Sequence, residues 1–381
     1  MTDSPVQTLG PIGIGMLGAG FIGQMHSLSF ACSKFARCEP RVDAKLVALA
    51  DISEDLAVEI GGRYDWEEVH ADWNNVVNHP DVSIFVNSGP NNMHRMPSIA
   101  AARNGKHVFS EKPLAATASE AFEIWKAAEN AGIVHMCAFL HRFIPALRLA
   151  RQIIQEGRLG QIRHFRSNFL LNMQHIDSVL TWRYDRKIAG AGATGDLGSH
   201  HIDLARYLVG EVARVNSMTK SWSRDSSGRV SDVNEDWFAS AAEFENGGTA
   251  SFEASRLPEG HMLTGCIQVD GTRGTLSFDM QRLNELNFAE PGKGPRRIWA
   301  ATGNDPFGDF WLPVGIQGAH PAGWRDCFAY QAHHMLHAVA TGRALDDDAA
   351  TFEDGYRVAE IVEAILESAA SGKARDVRFR S

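Results

Sequence analysis

The sequence lacks both a hydrophobic run that could span a membrane and an excess of positive charge. No apolar stretch reaches the roughly 20 residues that a transmembrane helix needs. The formal net charge is -9, whereas nucleic-acid binders usually carry a basic face. The first ten residues, MTDSPVQTLG, have no basic region followed by an apolar one, as a secretory signal would. We therefore expect a cytoplasmic protein that binds neither nucleic acid nor membranes.

Paired cysteines and metal-binding motifs are also missing. The five cysteines are scattered without a CxxC pair, which is typical of reduced, mostly buried thiols and disfavours a zinc site. His333 and His337 are four residues apart on a probable helix, but no third ligand stands out nearby and the HExxH pattern is absent. We interpret them as part of an ordinary polar helix face and predict no metal site.

What is present is enough apolar sequence for two or three domains, since 44% of the 381 residues are hydrophobic. Short apolar runs alternate with helical patterns in the first third of the chain, which predicts a parallel α/β sheet. The predicted strands are 11–20, 45–50, 82–87, 106–110 and 133–139, and the predicted helices are 21–36, 96–104 and 117–131.

The pattern changes after about residue 145. Helical segments at 146–156 and 196–209 flank strand-like runs, and strands separated by turns such as Asn246-Gly247-Gly248 dominate 211–290. This favours an α+β domain with a mostly antiparallel sheet, in which 222–236 is the best candidate for a mobile loop. Helical periodicity returns at 324–341 and 353–371. We predict three parts: a Rossmann domain at 1–142, an α+β domain at 143–345 and a closing helical segment at 346–381.

The turn after the first predicted strand reads Gly18-Ala19-Gly20-Phe21-Ile22-Gly23. In a GxGxxG turn the first glycine allows the bend, the second lets the backbone approach a pyrophosphate, and the third allows close packing of helix on strand. The phosphates then lie against the free N–H groups of the helix N-terminus. An ordinary glycine-rich turn is the alternative, but the position between strand and helix favours dinucleotide binding through Gly18, Gly20, Phe21, Ile22 and Gly23.

Asp51 ends the second predicted strand. A carboxylate at that point hydrogen-bonds the adenosine ribose and repels a 2′-phosphate, and no arginine follows it, so the sequence favours NAD over NADP. The spacing from the glycines is longer than usual, and we attribute the excess to an insertion at 31–44. A solvated loop acid is the alternative interpretation of Asp51.

Lys112 follows the fourth predicted strand, in Glu111-Lys112-Pro113, and the loop Ser88–His94 follows the third. Open α/β sheets bind ligands at the carboxyl ends of their strands. A lysine beside a nicotinamide ring would be partly desolvated and close to a positive charge, which lowers its pKa and suits it to accept an alcohol proton. Taken alone, Lys112 is more typical of a plain surface lysine at a strand end.

A second constellation lies in Gly190–Asp203, where a glycine-rich stretch leads into a predicted helix that starts near Asp196. On an α-helix Asp196, His200, Asp203 and Tyr207 fall within an arc of about 60°. A carboxylate four residues before a histidine can hold its tautomer and raise its basicity. The alternative is a helix cap at Asp196 and a core histidine at His200.

Taken together, these motifs resemble those of the Gfo/Idh/MocA oxidoreductases. The resemblance covers nearly the whole chain and rests on GAGFIG at 18–23, PNNMH at 90–94, Glu111-Lys112-Pro113 and DxGxHxxD at 196–203. It implies an N-terminal Rossmann domain that binds NAD and a C-terminal domain with an open-faced antiparallel sheet. In the family that sheet often mediates dimers or tetramers, so the resemblance implies a homo-oligomer.

The resemblance also implies roles for individual residues. Lys112, Asp196 and His200 would form the catalytic group, with Lys112 or His200 as the base, since members differ in this respect. The implied cofactor-lining residues are Ser88, Asn91, His94, Glu111, Lys112, Arg142, Trp182 and Arg183. The implied substrate-contacting residues are Lys112, His141, Tyr184, Asp196, His200 and Asp203.

Two positions depart from the family pattern: the usual GGG is Gly190-Ala191-Gly192, and the usual asparagine before Arg142 is His141. The stretch Thr181–Arg186 looks similar to sugar-active members such as inositol 2-dehydrogenase and levoglucosan dehydrogenase. The resemblance therefore implies an NAD-dependent oxidation of a secondary hydroxyl of a sugar, a levoglucosan-like anhydrosugar or a myo-inositol-like cyclitol. The alternatives are a redox-neutral sugar-modifying enzyme that oxidises its substrate transiently, and a non-enzymatic NAD-dependent regulator.

Overall fold

The computed structural model describes residues 8–37, 40–173, 181–223, 234–300, 310–312, 316 and 320–380. Two compact units divide the chain. The first comprises 1–114, 119–143 and 301–353, and the second comprises 115–118, 144–300 and 354–381. In the described residues, none of the helices has the length and apolar character required to cross a bilayer.

The first unit contains a six-stranded parallel sheet in the order β3-β2-β1-β4-β5-β6. Its strands are β1 (Thr8–Leu17), β2 (Arg41–Ala50), β3 (Glu68–His70), β4 (Ile84–Asn87), β5 (His107–Ser110) and β6 (His135–Cys137). The connecting helices are α1 (Phe21–Ala31), α2 (Glu54–Tyr64), α3 (Trp73–Val77), α4 (Arg95–Arg103) and α5 (Ala118–Ala131). The central strands are buried on both faces, as a parallel sheet between helices requires.

The second unit contains a nine-stranded sheet in the order β14-β13-β12-β11-β7-β10-β9-β8-β15. Its strands are β7 (Ile162–Leu170), β8 (Val212–Lys220), β9 (Trp237–Phe244), β10 (Thr249–Ser255), β11 (Thr264–Gly271), β12 (Thr275–Asp279), β13 (Glu285–Glu290), β14 (Lys293–Trp299) and β15 (Arg375–Asp376). The helices of this part of the chain are α6 (Pro145–Gln155), α7 (Arg186–Ala189) and α8 (Ser199–Leu208), which follows a π-helical turn at Thr194–Gly198. Two long helices follow in the C-terminal region, α9 (Trp324–Thr341) and α10 (Phe352–Ser371).

The predicted fold class is confirmed: a Rossmann domain is followed by a domain built on a predominantly antiparallel sheet. The sequence did not predict the parallel pairing of β7 with β10 in the middle of the second sheet. The structure also divides the two C-terminal helices between the units: α9 belongs to the first unit, and nearly all of α10 belongs to the second.

Three local interpretations need correction. The expected insertion at 31–44 is partly strand, because β2 begins at Arg41 and pairs with β1 from Thr8 onwards. His333 does not lie on a polar face: it is buried edge-on against Phe310. The expected mobile loop lies mostly outside the described residues, but its last three members, 234–236, are almost fully buried.

The burial of Phe85 in β4 generates a prediction about stability. Phe85 is fully buried, so Phe85→Ala leaves a cavity in the first unit, and we expect a loss of about 3–5 kcal/mol in the free energy of unfolding. Phe35, which is 64% exposed, provides the same substitution on the surface and should change stability by less than about 0.5 kcal/mol. Urea unfolding of both variants measures this, and equal losses would contradict the assigned core.

Candidate dinucleotide and substrate site

The glycine turn of the first unit fits a dinucleotide. Gly18 has a φ of +100°, and a Cβ on it would lie 2.6 Å from the Ser88 carbonyl oxygen. A Cβ on Gly23 would lie 2.0 Å from the Gly18 carbonyl oxygen, whereas at Gly20 it would meet nothing within 4 Å. A side chain at the first or third glycine would therefore collide with the backbone, whereas a side chain at the second glycine would meet open space. Helix α1 starts after Gly20 without a side-chain cap, which leaves N–H groups available to an anion.

Asp51 and Ser88 hold this turn from the two neighbouring strands. The Ala19 N–H donates to Asp51 Oδ2 at 2.7 Å, and the Ser53 N–H donates to Asp51 Oδ1 at 2.9 Å. The Ser88 hydroxyl lies 2.8 Å from the Leu17 carbonyl oxygen and 3.0 Å from that of Gly18. The structure therefore brings together the glycine turn, Asp51 and Ser88, and Asp51 stands beside the turn as the ribose contact requires.

Asn87, the last residue of β4, organises the loop that contains Asn91 and His94. Its Nδ2 donates to the Met93 carbonyl oxygen at 3.1 Å, and its Oδ1 accepts the Gly89 N–H at 3.3 Å. Asn87 is fully buried, and Asn91 is 8% exposed. The sequence reasoning missed Asn87, although a polar residue at the end of an apolar strand is a usable signal for a loop contact.

His94 connects this loop with the segment that contains Lys112. Its ring nitrogens lie 2.9 Å from the Pro113 carbonyl oxygen and 3.0 Å from the Gly89 carbonyl oxygen. Burial lowers the pKa of His94, while the two carbonyl groups oppose this shift. A neutral ring can donate from only one nitrogen, so one of these two contacts lacks a proton at neutral pH.

Glu111 and Lys112 are connected to helix α1 through His26. His26 Nε2 lies 2.8 Å from Glu111 Oε1, and the Lys112 N–H donates to Glu111 Oε2 at 3.1 Å. His26 and Glu111 are both buried. His26 was missed as a site residue, yet its place one turn after Gly23 on the same helix is a signal that the sequence contains. The carboxylate of Glu111 thus fixes the backbone at Lys112.

The remaining predicted residue pair of the first unit is His141 and Arg142, which lie in a 3₁₀ turn at Leu140–Phe143. Both side chains are almost completely buried, at 3% and 4% exposure. They follow β6 by a few residues.

The second unit contains the other predicted residues. Trp182, Arg183 and Tyr184 form a 3₁₀ turn in which the Arg183 guanidinium lies 4.7 Å from the centre of the Trp182 ring. Tyr184 is buried, and the Arg256 guanidinium lies 4.1 Å from the centre of its ring. Asp185 then caps α7 by accepting the Lys187 N–H at 2.8 Å.

Asp196 lies in a π-helical turn rather than in regular α-helix. A π-turn closes with i→i+5 hydrogen bonds and so contains about one extra residue per turn. The arc of about 60° calculated for an α-helix therefore applies to His200, Asp203 and Tyr207 on α8 but not to Asp196. The expected helical start near Asp196 is present, with this changed geometry, which occurs frequently at functional sites.

The two adjacent histidines of α8 have different surroundings. His201 is buried and stacks on Phe169, with ring centres 5.0 Å apart, and burial lowers its pKa to about 3. His200 is half-buried and meets the same phenylalanine edge-on at 5.9 Å. Of the pair, His200 is therefore the less buried ring.

Asp203 is fully buried on the same helix. Burial alone would lower the pKa of the Arg206 guanidinium. The hydrogen bond with Glu211 and the negative charges of Asp354, Glu211 and Asp203 outweigh this effect and raise the pKa. Asp203 thus contributes to an acidic environment that keeps a buried arginine charged. In the described part of the chain, no group of three or more His, Cys, Asp or Glu side chains could hold a metal ion.

Comparisons with known proteins place both units. Residues 12–139 match the family model described as "Oxidoreductase family, NAD-binding Rossmann fold", and residues 147–277 match "GFO/IDH/MocA C-terminal domain". The chain is 34% identical over 391 residues to a levoglucosan dehydrogenase from Pseudarthrobacter phenanthrenivorans, covering 96% of this chain and 98% of that protein. It is 27% identical to an NAD⁺-dependent scyllo-inositol 2-dehydrogenase from Bacillus subtilis, covering 68% and 72% of the two chains.

A solved structure shows the same architecture. The structure titled levoglucosan dehydrogenase in complex with NADH and levoglucosan matches with a TM-score of 0.90 and 34% identity. The match covers 97% of this chain and 100% of that chain. Residues 12–139 are thus an NAD-binding Rossmann domain, and the glycine turn lies within them.

The position of Asp51 generates a prediction about cofactor choice. Asp51→Ser removes the carboxylate that would bind the ribose hydroxyls and repel a 2′-phosphate. We expect the ratio of kcat/KM for NAD over that for NADP to fall at least about tenfold, which corresponds to about 1.4 kcal/mol. Asp55→Ser, at an exposed acid in the first turn of α2, is the control. An unchanged ratio in Asp51→Ser would show that this carboxylate does not select the cofactor.

The burial of His201 generates a prediction about pH. An unfolded chain protonates this ring near pH ~6.5, whereas the folded chain keeps it neutral down to about pH 3. The stability that depends on the neutral ring is therefore complete above about pH 6.5 and is lost progressively as the pH falls from there toward 3. We expect His201→Phe to show a weaker decline in the free energy of unfolding across this window, and His320→Phe, at an exposed position, to behave as wild type. Parallel curves for wild type and His201→Phe would contradict the assignment.

Proposed function

The chain belongs to the Gfo/Idh/MocA family of oxidoreductases, and from this we propose that it is an NAD-dependent dehydrogenase that oxidises a secondary hydroxyl of an anhydrosugar or a closely related sugar. One observation carries this proposal: the near full-length likeness, at a TM-score of 0.90, to a structure that contains NADH and levoglucosan. Cyclitols belong to the same class of polyhydroxylated rings, and the inositol dehydrogenase relative supports including them in a substrate panel.

The cofactor would lie along the carboxyl edge of the first sheet. Gly18, Gly20 and Gly23, together with Phe21 and Ile22, would hold the pyrophosphate at the start of α1, and Asp51 would bind the adenosine ribose. The other proposed lining residues are Ser88, Asn91, His94, Glu111, Lys112, Arg142, Trp182 and Arg183. The nicotinamide supplies the redox chemistry, by accepting a hydride from the substrate carbon when it is bound.

The proton of the substrate hydroxyl is the part of the reaction that this chain's own side chains must handle. We propose that Lys112 Nζ binds the hydroxyl oxygen and that Lys112 or His200 takes its proton, with Asp196 acting on the orientation and basicity of His200. His141, Tyr184 and Asp203 complete the proposed substrate contacts. Fixing the hydroxyl between such groups accounts for much of a dehydrogenase's rate, because orientation removes an entropic cost from the barrier.

The assembly state is a further element of the proposal. The second sheet has one face with a groove of about 820 Å³ lined by strand residues such as Arg166, Asn216 and Gln268. Met218 on this face is 68% exposed. We propose that the chain forms a dimer or tetramer through this face, since an exposed apolar side chain in a groove whose lining surface is mostly apolar is typical of the core of an interface.

Two substitutions test the catalytic proposal. Lys112→Ala and His200→Ala should each retain NADH binding but lose kcat by about 100-fold or more, because each removes a group that moves or holds the reacting proton. The assay follows NADH absorbance with levoglucosan and a panel of sugars and cyclitols, and fluorescence titration measures NADH binding. Lys45→Ala and His79→Ala, at ion-paired positions near the surface of the first unit, are the matched controls.

Three outcomes would overturn the proposal. Wild-type kcat in both variants would remove Lys112 and His200 from the mechanism. Formation of a product without accumulation of NADH would indicate a redox-neutral reaction. Binding of NADH without turnover of any compound in the panel would indicate a binding protein or a different substrate class.

A further inference from the structure

We infer that Asn234, Glu235 and Arg256 are positioning residues, which fix the backbone that carries Trp182, Arg183, Asp196 and His200. The inference rests on the proposed function, because it requires that Asp196 and His200 take part in the reaction. The evidence for the positioning itself is a set of hydrogen bonds within the second unit. The three residues lie just before β9 and just after β10, outside every motif that the sequence singles out.

Glu235 caps the start of the helical segment from a distance in sequence. Its Oε1 accepts the N–H of Gly192 at 2.7 Å and that of Thr194 at 3.0 Å, and its carbonyl oxygen accepts the Ala193 N–H at 2.8 Å. Three successive N–H groups that have no intrahelical partner at a helix start are thus satisfied by one residue. A carboxylate at this place also interacts favourably with the helix dipole. Glu235 is 3% exposed, so water competes little for these bonds.

Asn234 holds both stretches of the proposed site at once. Its Nδ2 donates to the Arg183 carbonyl oxygen at 3.1 Å and to the Ala191 carbonyl oxygen at 3.3 Å. Its own N–H donates to the Tyr184 carbonyl oxygen at 3.1 Å. A single fully buried side chain therefore links the 3₁₀ turn of Trp182–Tyr184 directly with the helix start.

Arg256 fixes the fragment 234–236 in turn. Its NH2 group lies 3.1 Å from both Asp236 Oδ1 and the Glu235 carbonyl oxygen, and its NH1 group donates to the Arg183 carbonyl oxygen at 3.1 Å. Arg256 and Asp236 are both fully buried. Asp236 also accepts the N–H groups of Trp222 and Ser223, each at 2.7 Å.

The hydrogen bonds of Arg256 and Glu235 indicate that these residues position the backbone and do not simply fill the core. A buried ion pair gives little or no stability relative to apolar side chains of similar volume, because both charges must be desolvated. Arg256 nevertheless directs its donors at the backbone of the proposed site, and Glu235 directs its carboxylate at a helix start. Asn234, Glu235 and Arg256 thus fix the backbone conformation of residues 183–194. A shift of about 1 Å in such a segment can reduce turnover by about 100-fold.

The kinetic experiment compares Glu235→Ala and Glu235→Gln in the full chain. An amide oxygen accepts more weakly than a carboxylate, so we expect kcat to fall about 100-fold in Glu235→Ala and about tenfold in Glu235→Gln. The probe is levoglucosan, with carbon-deuterated levoglucosan for the isotope effect, and kcat is expressed per NADH-binding site. NADH affinity should change little, because the Arg183 carbonyl group is held by Asn234 and Arg256 and not by the Glu235 side chain. The deuterium isotope effect should rise as hydride transfer becomes slower than the other steps.

The matched control is Glu290→Ala, which removes a different carboxylate of the second unit, one that forms ion pairs with Arg158 and Arg296. It should keep kcat within about twofold, as expected for a surface pair. If Glu235 stabilised the fold without positioning the site, Glu235→Ala would lower the number of NADH-binding chains. It would then leave kcat per site and the isotope effect at wild-type values, and that result would overturn the inference.

Hydrogen exchange tests the positioning without any substrate. The peptide that covers 186–203 should exchange faster in Glu235→Ala than in wild type, and at the wild-type rate in Glu290→Ala. Unchanged exchange overturns the inference whatever the kinetics show, and so does faster exchange with an undiminished kcat. If the wild-type chain oxidises no compound, the proposed function fails, and exchange in this peptide alone decides the positioning. Where Glu235→Ala does not fold, Glu235→Gln serves for both measurements, with a smaller expected change.

Discussion

The register of the first sheet is the constraint on which the dinucleotide site depends. Leu17 of β1 lies opposite Ala50 of β2 and Asn87 of β4, and Asn87 lies opposite Ser110 of β5. The four neighbouring strands β2, β1, β4 and β5 therefore end at the same level of the sheet. The residues that follow these strands lie close together in space although they are far apart in the sequence. A slip of one residue in any strand would turn its side chains to the opposite face, and a slip of β2 against β1 would separate the Asp51 carboxylate from the glycine turn.

Much of the fold could be predicted because apolar periodicity and turn residues carry it. What escaped prediction has physical reasons. Strand β3 is only three residues long, with one apolar residue between two polar ones, so it leaves no periodic signal. Strand β14 contains Pro295, which argues against a central strand but is tolerated at an edge, where β14 lies. The parallel pairing of β7 with β10 leaves no mark either, since it joins segments separated by residues 171–248.

The candidate site likewise contains residues that the sequence predicts and residues that it does not predict. Glycines, a lysine and a histidine in a fixed order form a pattern that a sequence displays directly. The residues that hold them do not: His26, Asn87 and Arg256 are polar side chains whose importance comes from burial and from the carbonyl and carboxylate groups around them. The fragment 234–236 shows the limit most clearly, because its polar composition predicts a loop, and only the tertiary structure shows that it is buried.

The central place of β7 in the second sheet has a consequence for synthesis of the chain. Its partners β10 and β11 both lie far downstream, with residues 171–248 between β7 and β10. At about 5–20 residues per second, a ribosome needs on the order of ten seconds to make this connection. During that interval Phe165 and Phe169, which are buried in the finished sheet, belong to a strand with neither neighbour. The nascent chain must therefore shield its most central strand, by transient local contacts or by a chaperone, until the later strands emerge.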